Sequence, residues 1–371
     1  MTEMSERDAV AAEAQAEARA GAGAEAGVEV DVLVVGGGAA GLSAALTLAR
    51  ARRSVLVVDS GEPRNAPADG VHGFLSREGL APGELLRIGR DEVVGYGGLI
   101  ESDVVTGARR VGERFVVETA GGRSHMARRL LVTTGLVDGL PDVAGVRERW
   151  GRDVLHCPYC HGWEVRDEPI GVLATGPKAT HQALLFRQWS GDVTLFLHKS
   201  EELTDEQWEQ LAARGIAVVD GEVAGLDVEG DRLSGVRLAS GRRVPVRALA
   251  VAPRFEARGA ALSGLGLESV NHPMGVGSYV ESDATGFTGV AGVWVAGNVT
   301  DLMAGVMVSA ASGMTAATAI NSDLVTADTA AAVADRRAQE VFGPASEAAN
   351  CRRVLGERRH GLESAVARST R

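Results

Sequence analysis

The hydrophobic residues of this chain fall in short continuous runs that alternate with helix-like stretches. Two such runs occupy residues 31–35 (DVLVV) and 54–58 (SVLVV), and an Ala- and Leu-rich stretch at 42–50 lies between them. Short apolar runs without polar alternation are typical of parallel strands that are buried on both faces. The same order returns between residues 169 and 198. The pattern predicts an α/β protein with two Rossmann-like, three-layer ββα domains.

Further elements are predicted around these two units. The predicted strands lie at 101–106, 114–119 and 125–132, as a small meander covering the sheet, at 215–219, 223–228, 233–238 and 242–251, and at 292–298. Helices are predicted at 82–96 and 303–320. Residues 1–29 are rich in Ala and Glu without an apolar stripe, which predicts a mobile tail. After residue 321 the chain turns polar, which predicts a short helix and a second tail.

A glycine-rich turn joins the first strand to the first helix. It reads GGGAAG at residues 36–41, the Gly-x-Gly-x-x-Gly pattern, and Asp59 ends the next strand. The first glycine allows a tight turn, the second lets the backbone approach a pyrophosphate, and the third lets helix and strand pack closely. The acid takes a ribose hydroxyl. The complete order of strand, turn, helix, strand and acid predicts a dinucleotide site and not merely a structural turn.

The corresponding turn of the second unit departs from this pattern. Read as Gly-x-Gly-x-x-Ala over residues 174–179 (ATGPKA), it has Ala174 at the first glycine position. Pro177 removes one backbone N–H that would otherwise face a phosphate. The following strand ends in HKS at 198–200 and then two glutamates, whereas a 2′-phosphate site favours a pair of arginines. The sequence therefore argues against NADPH binding by this unit.

Between the two units lies the segment HCPYCHGW at residues 156–163. Its Cys157 and Cys160 form a CxxC pair, which can close a small disulfide and often has an activated first thiol. A zinc site normally needs a second pair of Cys or His ligands, and the remaining Cys351 lies far away in a polar segment, where we interpret it as a spectator thiol. A buried structural pair is the other alternative. The setting favours redox chemistry.

Composition limits the function classes. The chain has 371 residues, enough for two domains, and a formal net charge of −11 that argues against nucleic acid as a partner. Its three cysteines do not form a secreted disulfide framework. The N-terminal segment lacks the basic and apolar regions of a signal peptide, and no apolar run reaches the ~20 residues of a membrane span. We expect a soluble cytoplasmic protein that does not enter a membrane.

In their order, these motifs resemble the low-molecular-weight thioredoxin reductase family of flavoproteins, from about residue 30 to residue 320. The resemblance implies FAD in the first domain, a second domain inserted into it with the CxxC facing the flavin, and a homodimer. The implied division is a disordered tail at 1–29, an FAD-binding domain at 30–147 and 249–325, an inserted domain at 148–248 and a C-terminal helix and tail at 326–371. The implied cofactor-binding residues are Gly36, Gly38, Ala39, Ala40, Gly41, Asp59, Thr134, Gly135, Gly297 and Asn298.

Departures from that family narrow the resemblance. The family usually has Asp after the second cysteine, where this chain has His161, and Asp where this chain has Asn298. Its second nucleotide turn and basic segment are altered as described, and the turn before the final FAD segment reads VAPR at 251–254. These changes resemble the branch of thioredoxin-reductase-like dithiol oxidases, such as those that close disulfides in gliotoxin- or holomycin-type natural products. That branch keeps FAD and CxxC-His without an NADPH site, which implies electron flow from a dithiol to flavin and then to oxygen.

On this resemblance, Cys157 is the exposed thiol that exchanges with substrate, and Cys160 is the thiol next to the flavin. Thiol–disulfide exchange with a substrate dithiol leaves the pair reduced. The thiols need a base with a pKa near neutrality, which is the range of histidine. Adjacency to Cys160 makes His161 the first candidate. His156 is the second candidate, and a capping or surface role explains it equally well.

Three functions stay open on the sequence. The favoured one is an FAD-dependent oxidase that acts on a small-molecule dithiol or a protein thiol, with oxygen as acceptor. The alternative is an NADPH-dependent disulfide reductase of the thioredoxin reductase type. The third is a flavin-bound redox sensor, which signals through a partner and has negligible turnover.

Overall fold

A computed structural model describes residues 26–338 and 343–355 of the chain. Its strands are β1 (Ala26–Val35), β2 (Val55–Asp59), β3 (Leu99–Ser102), β4 (Val105–Val111), β5 (Arg114–Thr119), β6 (Ser124–Val132), β7 (Leu136–Gly139), β8 (Val154–Leu155), β9 (Ile170–Leu173), β10 (Val193–Phe196), β11 (Ala217–Val219), β12 (Val223–Glu229), β13 (Arg232–Leu238), β14 (Arg243–Val244), β15 (Ala248–Val251), β16 (Arg254–Ala257), β17 (Ser269–Asn271), β18 (Gly277–Val280) and β19 (Val293–Val295). Its helices are α1 (Ala39–Arg50), α2 (Pro82–Gly95), α3 (Val146–Arg149), α4 (Pro158–His161), α5 (Ala179–Phe186), α6 (Asp205–Ala213), α7 (Val306–Ala338) and α8 (Pro344–Leu355). Two short 3-10 helices lie at Ala260–Leu265 and Gly297–Val299.

Two compact units divide the chain after Ala319, and the second holds the later part of α7 together with α8. Within the described residues, no helix is apolar over a length that would cross a membrane.

The largest sheet is organised around β1. Its strand order is β3-β2-β1-β6-β5-β4, and β19 also pairs with β6. The strands β3, β2, β1, β6 and β19 run parallel, whereas β5 and β4 continue the sheet as antiparallel strands. Residues of β1 and β6 are buried on both faces, which explains their continuous apolar runs. The carboxyl ends of β1, β6 and β19 therefore meet at one edge of the sheet, where Rossmann-type folds bind their ligands.

A second, fully parallel sheet has the order β11-β10-β9-β15-β8. Its strands lie in the chain between β6 and β19 of the first sheet, which is the topology of an inserted unit. An antiparallel sheet, β12-β13-β14, follows β11 in the chain. The α/β class with two Rossmann-like units is confirmed.

Two strands carry the chain from one parallel sheet to the other. β7 leads away from the first sheet, β16 leads back, and the two pair antiparallel with Asp138 opposite Phe255. They belong to a four-stranded sheet of order β17-β18-β16-β7. The predicted domain bound after residue 248 falls inside β15, whose four residues all pair with β9. Buried parallel strands look alike in either domain, so no sequence pattern shows to which domain β15 belongs. The rest of the predicted division stays a prediction.

Several predicted element bounds are wrong. β1 begins at Ala26, inside the predicted tail 1–29, and a Cβ on Gly27 would overlap the carbonyl oxygen of Ser124. The segment 101–106 is not one strand of a covering meander, because Glu101 belongs to the parallel strand β3 and a new strand begins at Val105. The helix predicted at 303–320 begins at residue 306 and continues to residue 338, since the alanines after residue 321 favour helix even without an apolar stripe. The rest of the predicted tails, 1–25 and 356–371, lies outside the described residues.

Candidate active site

The first glycine turn forms a tight cradle before α1. Gly36 has φ +104°, and a Cβ there would lie 2.6 Å from the carbonyl oxygen of Thr133. A Cβ on Gly41 would overlap the carbonyl oxygen of Gly36. Both positions therefore require glycine. The hydroxyl of Thr133 donates to the carbonyl oxygen of Gly36 at 2.7 Å, which fixes the turn against the end of β6.

Gly38 stands apart from these glycines, because no described atom lies within 4 Å of its Cβ position. It is the N-cap of α1, and no described side chain caps this helix. The backbone N–H groups of Ala39, Ala40 and Gly41 are therefore available to an anion. Open space in front of an uncapped helix N-terminus fits the pyrophosphate of a dinucleotide.

Asp59 at the end of β2 is held beside this turn. Its Oδ1 accepts a hydrogen bond from the backbone N–H of Gly37 at 3.0 Å, and a Cβ on Gly37 would touch the carboxylate. Arg90 Nη1 lies 3.9 Å from the other oxygen, Oδ2. The hydrogen bond to Oδ1 thus orients the carboxylate, and Oδ2 is in a position to accept a hydrogen bond from a ribose hydroxyl.

The second predicted group of cofactor residues also borders the cradle. Gly297 has φ +73°, a Cβ on it would lie 2.9 Å from the Cβ of Ala40, and its N–H donates to Ser312 Oγ at 2.9 Å. Thr134 follows the end of β6 and donates from Oγ1 to the carbonyl oxygen of Arg258 at 2.6 Å. Gly135 has φ +69°. These residues line the same sheet edge as the glycine turn.

Asn298 has a local reason to be an amide and not an acid. Its Nδ2 donates hydrogen bonds to the carbonyl oxygens of Asp301 and Ala304, both at 2.9 Å. A carboxylate in this position would face two carbonyl oxygens without a proton to donate. The departure from the Asp of the thioredoxin reductase family therefore follows from the turn that this chain adopts.

Cys157 and Cys160 lie at the single-turn helix α4, with Cys157 as its N-cap and Pro158 as its first residue. Both thiols are half-buried and neither forms a disulfide. The thiol of Cys160 hydrogen-bonds the sulfur of Cys157, and the backbone N–H groups of Cys160 and Tyr159 add to this, so the pKa of Cys157 falls to about 6. The same thiol contact, together with burial, raises the pKa of Cys160. The reduced pair thus holds one thiolate and one thiol.

His161 lies directly after Cys160, and its two ring nitrogens are buried without a hydrogen-bond partner among the described residues. Burial lowers its pKa, while the charges of Glu164 and Asp69 act against this and that of His72 with it. The ring is therefore neutral at pH 7 and has an acceptor nitrogen to offer. Its place directly after Cys160 in the chain and its unpartnered nitrogens make it a candidate to take and return a proton.

His156 is engaged elsewhere. Its Nδ1 lies 3.2 Å from the carbonyl oxygen of Val251, and its ring packs edge-on against Phe255 with centroids 5.3 Å apart. Its own carbonyl oxygen accepts a hydrogen bond from Gln182 Nε2 at 3.1 Å. These contacts position the start of the CxxC segment. Of the two predicted base candidates, His161 keeps its nitrogens free for chemistry.

Arg64 is a site residue that the sequence reasoning missed. Its guanidinium pairs with Asp138 at 2.8 and 2.6 Å and reaches toward Asn298 Oδ1 at 3.5 Å, and its charge acts on both cysteines. In the sequence, residues 61–67 (GEPRNAP) form a turn-rich loop, which predicts either a cover over the cofactor or an ordinary connection. An arginine inside a Pro-rich turn was the available signal, and nothing local connected it with the CxxC.

Exposed aromatic side chains surround the two thiols. Tyr159 lies between the cysteines with 72% of its surface exposed, and Trp163 is 65% exposed. The Tyr159 ring packs edge-on against Trp189 with centroids 5.6 Å apart, and the Arg166 guanidinium lies 4.1 Å from the Trp163 ring. The mouth of the site is therefore largely apolar.

Residues 30–322 match the family model of the pyridine nucleotide-disulphide oxidoreductases. The chain belongs to the pyridine nucleotide-disulphide oxidoreductase family. The crystal structure of HlmI is 50% identical and superposes with a TM-score of 0.79, covering 84% of this chain and 97% of that one. Thioredoxin reductase sirT of Leptosphaeria maculans is 30% identical over 313 residues, 80% of this chain and 94% of the relative. Thioredoxin reductase tcpT of Claviceps purpurea is 36% identical over 180 residues. That last match spans 46% of this chain and about half, 56%, of tcpT.

Membership of the pyridine nucleotide-disulphide oxidoreductases confirms the predicted oxidoreductase class and the likeness to thioredoxin reductases. The family implies FAD, and the cradle before α1 fits that cofactor. The individual cofactor-binding and catalytic residues stay predictions.

The second nucleotide turn of this pyridine nucleotide-disulphide oxidoreductase is occupied by its own contacts. Thr175 donates from Oγ1 to the carbonyl oxygen of Ala252 at 2.8 Å, and Ser200 donates to the carbonyl oxygen of Ala174 at 3.2 Å. Lys199, the residue nearest to a 2′-phosphate position, pairs with Glu222 at 2.7 Å. The polar groups that would hold a second nucleotide are therefore largely used within the protein.

Proposed function

We propose that this protein is an FAD-dependent thiol–disulfide oxidoreductase that oxidises a dithiol to a disulfide through Cys157 and Cys160. The observation that carries the proposal is the asymmetric thiol pair with a neutral, unpartnered His161 beside it. A pair that only stabilises the fold has no use for a thiolate or for a buried imidazole without a partner.

The contrasting pKa values assign different tasks to the two sulfurs. A substrate thiolate attacks Cys157 of the oxidised pair, the bond between Cys157 and Cys160 breaks, and Cys160 leaves. Because the pKa of Cys160 is raised, its sulfur leaves best when it receives a proton, and His161 can pass on the one that it took from the substrate thiol. The second substrate thiol then attacks the mixed disulfide. Cys157 leaves readily since its pKa is lowered, and lower-pKa thiols leave faster.

These exchange steps conserve atoms and electrons. The substrate loses two protons and two electrons and becomes a disulfide. The cysteine pair gains the two electrons and one proton and becomes one thiol and one thiolate, and the second proton goes to solvent. FAD, when bound, supplies the two-electron acceptor for the reduced pair, and we propose oxygen as the final acceptor with hydrogen peroxide as its product.

The second nucleotide turn supports this direction of electron flow. Pro177 lacks an N–H, and Thr175 and Lys199 are engaged in the internal contacts described above. A turn that has lost one N–H at Pro177 and has no arginine pair after it gives NADPH less to bind. Electrons therefore enter through the thiols. The apolar mouth formed by Tyr159 and Trp163 favours a small apolar dithiol over a hydrophilic protein segment.

Disulfide reduction with NADPH is the second candidate, since relatives such as sirT and tcpT carry the name thioredoxin reductase. Anaerobic flavin reduction distinguishes the two. On the proposed function, a dithiol bleaches the flavin absorbance, NADPH does not, and readmitted oxygen restores the colour with formation of peroxide. Rapid bleaching by NADPH would refute the oxidase and support the reductase.

Cysteine variants locate the electron entry. Cys157→Ser and Cys160→Ser should each abolish bleaching by a dithiol, whereas Cys351→Ser, in α8, is the matched control and should bleach normally. Full dithiol turnover in Cys157→Ser would exclude the CxxC route.

A further inference from the structure

Arg64 joins four chain segments beside the CxxC pair. From the loop after β2, its Nε and Nη2 donate to the two carboxylate oxygens of Asp138 in β7, at 2.8 and 2.6 Å. Its Nη1 lies 3.5 Å from Asn298 Oδ1, and its guanidinium lies 5.2 Å from the centre of the Phe255 ring in β16.

Burial makes this ion pair a fixed one. The Asp138 side chain is only 9% exposed and the Arg64 side chain 32%. A nearly buried carboxylate requires a partner, and a two-pronged contact fixes the guanidinium plane as well as its position. The positive charge of Arg64 is therefore held in one place, unlike the charges of exposed arginines on long flexible side chains.

The charge lies close to the CxxC segment, because Arg64 and His156, the residue before Cys157, both pack against the ring of Phe255. The hydrogen bond from Cys160 contributes most to the lowered pKa of Cys157, and the charge of Arg64 lowers it further. The same charge lowers the pKa of Cys160 against its overall rise. A cation near a CxxC stabilises the thiolate of the reduced pair and not the neutral disulfide of the oxidised pair.

We propose that Arg64, oriented by Asp138, is a positioning residue that stabilises the Cys157 thiolate and thereby makes the Cys157–Cys160 disulfide a stronger oxidant. Reduction of the disulfide takes up two electrons and one proton and gives one thiolate and one thiol. Any group that stabilises this thiolate shifts the equilibrium toward the reduced pair, as redox proteins with low-pKa cysteines illustrate. The inference rests on the proposed function, in which the disulfide must accept electrons from a substrate dithiol.

A purely structural role for the pair is the competing explanation, since Arg64 also pins β7 and β16. Substitutions separate the two roles. Arg64→Lys keeps the charge but cannot make the two-pronged contact. Arg64→Gln removes the charge and leaves Asp138 buried and unpaired, which destabilises the fold. The double variant Arg64→Gln, Asp138→Asn removes both charges and avoids that penalty.

The experiment uses the flavin-loaded protein in a Cys351→Ser background, reduced and kept anaerobic. Iodoacetamide modification of Cys157 is followed from pH 5 to pH 9, and the dithiol–disulfide equilibrium is measured against glutathione. The control variant is Arg87→Gln, which removes an exposed ion pair with Glu84 and Asp91 on α2.

In the double variant we expect the apparent pKa of Cys157 to rise by about one unit. At a pH above the Cys157 pKa of both the parent protein and the variant, each unit shifts the dithiol–disulfide equilibrium about tenfold toward the disulfide. Because Arg64→Lys keeps the charge, its Cys157 pKa should stay close to that of the parent protein, and the control variant should titrate like the parent protein.

An unchanged Cys157 titration in the double variant with full flavin content would overturn the inference, and so would an Arg64→Lys protein that titrates like Arg64→Gln. These readouts need no turnover. Failure of the proposed function would appear separately, as full dithiol oxidation by Cys157→Ser.

Discussion

The glycine cradle allows a prediction in which two neighbouring substitutions act in opposite ways. Gly38→Ala places a methyl group where no described protein atom lies within 4 Å, on a backbone with φ −75° that alanine can adopt. Gly41→Ala places the methyl group against the carbonyl oxygen of Gly36 and 2.7 Å from Thr133 Oγ1. The first change therefore spares the protein and obstructs the cofactor, whereas the second disrupts the protein itself.

The magnitudes follow from these surroundings. Gly38→Ala gains about 0.4–1 kcal/mol through the unfolded chain, and loses about 0.5 kcal/mol because alanine is a poorer N-cap than glycine. The free energy of unfolding of the flavin-free protein should thus stay within about 1 kcal/mol of the parent. Crowding of a close-packed contact costs about 1–3 kcal/mol, which corresponds to about 5- to 150-fold weaker FAD binding. Gly41→Ala should lower the free energy of unfolding by about 3 kcal/mol or more.

Urea unfolding of flavin-free protein and quenching of FAD fluorescence on binding measure the two quantities separately. Gly83→Ala in α2 is the matched control, because its Cβ position is also open, and it should leave FAD affinity unchanged. Parent-like FAD affinity in Gly38→Ala would refute the assignment of this turn to the pyrophosphate. A loss of stability equal to that of Gly41→Ala would refute the argument from open space.

Three further predictions concern the thiols and the final turn. Iodoacetamide should modify Cys157 with an apparent pKa of about 6 and Cys160 far more slowly at pH 7, because Cys160 hydrogen-bonds the Cys157 sulfur; equal rates would contradict this. His161→Asn should lower stopped-flow dithiol oxidation about 100-fold with unchanged Cys157 modification, whereas His156→Asn should chiefly lower the melting temperature; similar losses of rate would remove His161 as the base. Asn298→Asp should cost about 1–3 kcal/mol in urea unfolding at pH 7, because a carboxylate faces two carbonyl oxygens. Unfolding in urea that matches the parent protein at pH 7 would contradict the argument.

Local patterns predicted those parts of the fold in which the chemistry is local. The turn at 36–41 and Asp59 are separated by one helix and one strand, and close packing, pyrophosphate approach and strand burial each leave a distinct residue type. The CxxC motif is likewise a contact between near neighbours, since only two residues separate its cysteines in the chain. Such features are visible in the sequence because the interacting atoms lie within one structural unit.

Contacts between distant segments were not predictable in this way. Arg64 and Asp138 are 74 positions apart, and Arg64 and Asn298 are 234 apart. Each of these residues alone is an ordinary polar residue of a turn or strand. Their significance depends on β7 and β16 passing side by side, and strand pairing across a domain insertion leaves no local periodicity. The predicted domain bound after residue 248 falls inside β15 for the same reason, because the pairing of β15 with β9 leaves no local pattern.

On the proposed function, the departures from the thioredoxin reductase pattern fit together as consequences of electron entry at the thiols. A reductase delivers electrons to the CxxC from the nucleotide side, so its second turn must stay open to NADPH. Here that turn lacks its first glycine, replaced by Ala174, and one N–H, at Pro177, and His161 offers a neutral imidazole one residue after the thiol with the raised pKa. A disulfide that must accept electrons from small thiols benefits from a stabilised thiolate on reduction, and Arg64 supplies a fixed charge for it. Restoring the nucleotide turn alone would therefore leave a pair that is tuned to accept electrons from outside.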